Sequence, residues 1–76
     1  MNKDRRKALV EISQQMQELR DRLQELWNEE QEAFDNLPEG LQQADSGQAT
    51  ERAAEQLSAA DDAIGEALDA IDAAIE

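Results

Sequence analysis

Apolar residues return every three or four positions along two long stretches of this chain, and one short segment breaks the pattern. In the first stretch, Leu9, Ile12, Met16, Leu19, Leu23 and Leu26 are spaced 3, 4, 3, 4 and 3 apart. That is the a/d repeat of a coiled coil. The residues between them are Glu, Gln and Arg, all good helix formers, with an occasional Asp. The next a position is Glu30, which spoils the seam. Trp27 and Phe34 continue a row displaced by one position from the d column, which reads as a local stutter or a widened apolar face near the turn. The spacing predicts helix 1 over about residues 4 to 35.

The second stretch repeats nearly every seven residues: "AAEQLSA", "ADDAIGE", "ALDAIDA", "AIE". Leu57, Ile64 and Ile71 fill the a column, and Ala53, Ala60, Ala67 and Ala74 sit where d residues belong. Leu68 and Ile75 flank them on one side, Ala63 and Ala70 on the other. The result is a wide, shallow apolar face on a helix of about residues 47 to 75. Opposite it runs an acidic ridge of Glu55, Asp62, Asp69 and Glu76, again seven apart, flanked by Glu51, Glu66 and Asp72. Gly65 reads as a tolerated surface residue costing ~1 kcal/mol against alanine.

Between the stretches, residues 36 to 46 form the expected turn. Leu37 precedes Pro38, which disfavours helical geometry and ends helix 1 nearby. Pro38 can start a short helical turn through "PEGLQQ". Asp45 or Ser46 is the expected N-cap of helix 2, with Asp45 and Gln48 as a loose capping box. Leu37 and Leu41 are expected to fold back on Phe34 and Trp27 and plug the open end of a two-helix core. The fold expected is therefore all-α: one domain, residues 1 to 76, an antiparallel two-helix hairpin. Its spare apolar face is expected to make it a homodimer, an antiparallel four-helix bundle, the alternative being a monomer whose spare face serves another protein.

Composition narrows the chemistry. The 76 residues include no cysteine, histidine or tyrosine. Disulfides, thiolate or imidazole metal sites and the usual nucleophilic triads are thereby excluded. Paired carboxylates need a cleft that separates their pKa values, and a thin hairpin offers none. "DNLPEGLQQADS" matches a calcium loop poorly, with Leu37 and Ser46 where oxygen ligands belong. No enzyme activity, metal or cofactor is expected.

The charge is lopsided. From Leu23 to Glu76, 15 acids face one base, a net of −14, whereas residues 1 to 22 carry +2. Such a chain repels nucleic acid and anionic lipid and attracts basic protein surfaces. Lys3, Arg5, Arg6 and Lys7 are expected to meet Asp69, Asp72 and Glu76 across the hairpin. No apolar run reaches the ~20 residues of a membrane span, and "ALVEI" is too short for a secretory core. A cytoplasmic chain that keeps its own start is expected.

The segment "EEQEAFDNLPEGLQ", with Phe34, Asn36, Leu37, Pro38, Leu41 and Gln42, then Gly47 and the acidic heptads, resembles a family of short phage and prophage proteins. The resemblance covers most of the chain. It implies a helical hairpin and an accessory phage-type role, with no activity attached. Two functions are expected to compete. One is a protein-protein interaction or assembly module, with Trp27, Phe34, Leu57, Ile64, Leu68 and Ile71 as partner-binding residues. The other is a nucleic-acid mimic whose acidic ridge occupies a basic groove on a host DNA-binding or defence protein, in the manner of anti-restriction or anti-CRISPR inhibitors.

Overall fold

The computed structural model describes residues 1–76 and contains helices and no strands. It is an extended helix–turn–helix measuring 58 × 15 × 13 Å. Helix α1 runs Lys3–Asp35, the single turn α2 runs Glu39–Gln42, and α3 runs Asp45–Ile75. None of them is long and apolar enough to cross a membrane.

Each boundary has a local cause. Asn2 caps α1: its Oδ1 accepts a hydrogen bond from the Arg5 N–H at 2.8 Å, satisfying one of the orphan donors of a helix start. At the other end, the Asn36 N–H donates to the Glu32 carbonyl and the Leu37 N–H to the Phe34 carbonyl. The Gln42 amide reaches back and also donates to the Phe34 carbonyl, at 3.1 Å. Pro38 then serves as the N-cap of α2.

The start of α3 differs from expectation. Its N-cap is Ala44, with no side-chain cap, and Asp45 is already helical. The Gln48 side chain donates to the Gln43 carbonyl and takes no part in a capping box. Asp45 instead places a negative charge in the first turn, where the helix dipole favours it.

Why the helix starts there is visible at Gly47, one of three buried residues together with Ala54 and Asp61. A Cβ on Gly47 would stand 2.2 Å from the Leu41 carbonyl oxygen, 2.7 Å from that of Gln42 and 2.8 Å from the Gln42 Cα. These are backbone atoms and cannot swing aside. Leu41 itself is 50% exposed. Its main-chain carbonyl is what meets α3, beside Gly47. Leu37, Phe34 and Trp27 are half-buried.

The seam between α1 and α3 is rotated from the expected one. On α1 the half-buried residues are Leu9, Ser13, Met16, Arg20, Leu23, Gln24, Trp27, Glu30 and Phe34. The a column stays inside. The d column, Ile12, Leu19 and Leu26, is 44%, 56% and 56% exposed. The row of Trp27 and Phe34 is no local stutter: it continues back through Arg20 and Ser13, seven apart, for most of the helix. On α3 the matching rows are Leu57, Ile64 and Ile71, and Ala54, Asp61, Leu68 and Ile75. Trp27 and Phe34 give the reason, since burying two aromatic rings outweighs burying Leu19 and Leu26.

Two glycines at the junction of the long helices, Gly40 in α2 and Gly47 in the first turn of α3, separate the effects of space and flexibility. Gly47→Ala is expected to lower unfolding free energy in urea by about 1–3 kcal/mol, the usual cost of overpacking. Gly40 has nothing within 4 Å of a built Cβ, so Gly40→Ala is expected to be neutral or to stabilise by up to about 1 kcal/mol. Equal effects at the two positions would show that the close approach at Gly47 carries no weight.

Candidate functional site

The most organised group of polar side chains lies in the middle of the α1–α3 seam. Arg20 Nε–H donates to Asp61 Oδ1 at 2.9 Å, and its Nη2 donates to Oδ2 at 3.2 Å. Gln24 Nε2 donates to the same Oδ1 at 2.9 Å. This two-pronged contact is the favoured geometry of a guanidinium on a carboxylate. Asp61 is 7% exposed. Gly65, one turn further along α3, lies under the guanidinium: a Cβ there would stand 3.0 Å from Nη2 and 3.3 Å from Cζ. Gly65 is therefore half-buried beneath Arg20 and is not the surface residue its sequence setting suggested.

The contacts set the charge states. Hydrogen bonding from Arg20 holds the Asp61 carboxyl below the ordinary aspartate value; burial opposes this and the Gln24 amide adds to it. Arg20 is pushed up, first by its hydrogen bond to Asp61, with burial opposing and the charges of Asp61, Asp62 and Asp69 adding. Nearby, Ser13 Oγ is buried without a hydrogen-bond partner.

Arg20–Asp61 is the one ion pair of the structure. The expected meeting of Lys3, Arg5, Arg6 and Lys7 with Asp69, Asp72 and Glu76 does not form as ion pairs, and all seven residues are exposed. Long side chains in water lose more entropy on pairing than such contacts return.

The residues expected to bind a partner divide clearly. Trp27, Phe34, Leu57, Ile64, Leu68 and Ile71 are all half-buried, on the rows that form the seam. The acidic ridge of Glu55, Asp62, Asp69 and Glu76 is exposed along its whole length. The surface holds no cavity, and no three acidic side chains converge in a way that could hold a metal ion. The largest exposed apolar side chains include Ile12, Leu19 and Leu26, on one row of α1. Comparison with family models, curated proteins and solved structures finds no match.

Sequence reasoning passed over Arg20, Gln24 and Asp61. The signal was present: Arg20 lies seven before Trp27, and Asp61 lies seven before Leu68. Each is thus the charged member of an otherwise inward row, and the two charges are opposite.

The pair's pH dependence follows from its sign. A carboxyl held low in the folded state contributes fully above the unfolded aspartate value of 3.8, and loses that contribution as pH falls through the folded value. Asp61→Asn is expected to lower the urea midpoint at pH 7, while Asp62→Asn, on the exposed ridge, leaves it unchanged or raises it. The gap between parent and Asp61→Asn should close in acid, where Asp61 is protonated in the folded chain as well. A gap independent of pH would contradict the assignment.

Proposed function

We propose that the chain is an antiparallel two-helix hairpin that works as a non-enzymatic assembly module, two hairpins pairing as a four-helix bundle. The long dimension of 58 Å supports the hairpin, since a helix of 33 residues alone spans about 50 Å at ~1.5 Å per residue. One observation carries the assembly reading. Only three residues are buried, while Ile12, Leu19 and Leu26 are about half exposed. A chain of this size with so little interior gains its stability by covering such a face. The phage-type resemblance adds a setting, an accessory gene product, and no mechanism.

A second reading has its own support. Glu55, Asp62, Asp69 and Glu76 are exposed and unpaired, which leaves a continuous acidic edge free for a basic host protein.

Salt separates the two. Each chain carries a formal charge of −12, so two copies repel and screening should tighten the dimer. A complex with a basic protein should loosen under the same change. Sedimentation velocity of the purified protein at rising salt is expected to show a dimer that strengthens; a strict monomer at every salt concentration would overturn the assembly module. Retention of a basic DNA-binding protein at low salt and its loss at high salt would favour the second reading.

A further inference from the structure

The two edges of the α1–α3 seam differ in kind. Successive residues advance about 100° around a helix, so the rows flanking the seam can be placed. On α1 one flank is the row of Val10, Gln17, Gln24 and Gln31; the other is Ile12, Leu19, Leu26 and Ala33. On α3 one flank is Ser58, Gly65 and Asp72; the other is Ala53, Ala60, Ala67 and Ala74. Gln24 bonds Asp61, and Arg20 lies over Gly65, so the first flank of each helix falls on the same side. With antiparallel helices, the second flanks then share the opposite side. One edge is bridged at its middle by the polar contacts of Arg20 and Gln24, with Val10, Gln17 and Gln31 exposed on either side. The other is an open apolar face with a high ridge on α1 and a low trough on α3.

We propose that this face, and not the acidic ridge or the wider back of α3, receives a second copy of the chain. The inference rests on the hairpin and dimer reading above and names the surface that reading requires. Three observations on the face fix the occupant. Its ridge residues, Ile12, Leu19 and Leu26, are 44%, 56% and 56% exposed, whereas the matching row on the other edge is mostly glutamine. Its footprint, set by extents of 58 and 15 Å, is of the order of the ~800 Å² that each partner gives to a standard interface. Finally, the face is complementary to itself. A two-fold axis along the molecule lays the ridge of each copy on the alanine trough of the other. Every contact then matches large to small, and the copies meet at even spacing. Ridge on ridge would leave alanine facing alanine across a gap.

The test compares three single substitutions by sedimentation velocity at high salt, with circular dichroism to confirm that helix is retained. Leu19→Glu is expected to abolish the dimer while keeping helix content; Leu26→Glu serves the same purpose should Leu19→Glu lose helix. Val10→Glu, on the opposite flank at 41% exposure, is expected to dimerise as the parent does. A parent dimer that survives both ridge substitutions with unchanged affinity, or that Val10→Glu disrupts instead, overturns this face and leaves the dimer standing. A parent that is monomeric throughout overturns the dimer reading itself. Efficient disulfide formation between two copies of Leu19→Cys would overturn the ridge-on-trough seating, which keeps those positions apart.

Discussion

Arg20 and Asp61 hold the one ion pair of this protein, and it lies in the middle of the seam, not at the ends where sequence charge would put it. Its position constrains everything around it. A slip of one heptad would set Arg20 opposite Ala54 or Leu68, and Asp61 opposite Ser13 or Trp27, leaving two charges without partners. A half-buried charge that loses its partner costs far more than the pair contributes. The pair therefore selects one register from several that the repetitive rows would allow, a role polar residues also play in coiled coils. Gln24 completes the acceptor side, and Gly65 supplies the space.

That register determines the outer surface. With Arg20, Trp27 and Phe34 facing α3, Ile12, Leu19 and Leu26 must turn away. A conventional a/d seam would have hidden these three and exposed the aromatics. The exposed leucines are a direct consequence of where the rings and the ion pair went. The acidic ridge, by contrast, is exposed in either arrangement.

The heptads, the lone proline and the charge-rich spacers made the two long helices and the break between them legible from sequence, with α1 ending at Asp35 as expected. The rotation of the seam was not. Leu9, Met16 and Leu23 satisfy both arrangements, and the choice between Leu19 and Arg20 as the inward neighbour depends on Asp61, 41 positions away. Hydropathy counts Arg20 and Asp61 as outward residues; only their pairing makes them inward ones. The same blindness applies to Gly65, whose value lies in a side chain of the other helix. Gly47 was visible as a glycine near a turn, but not as the point where main chain meets main chain. The expected cap at Asp45 failed for a related reason: the approach at Gly47 brings α3 in early, and Ala44 is left at the cap position.

The central claim is that α1 and α3 lie against one another with Arg20 at the level of Asp61. The most direct measurement is the distance between spin labels on Glu11→Cys and Asp72→Cys, both exposed positions, with labelled chains diluted in unlabelled protein so that only distances within one chain are read. Helix axes ~8–10 Å apart predict a single short distance, below about 30 Å once the label arms are included. A distribution centred near 90 Å, the length of one continuous helix at ~1.5 Å per residue, would contradict it.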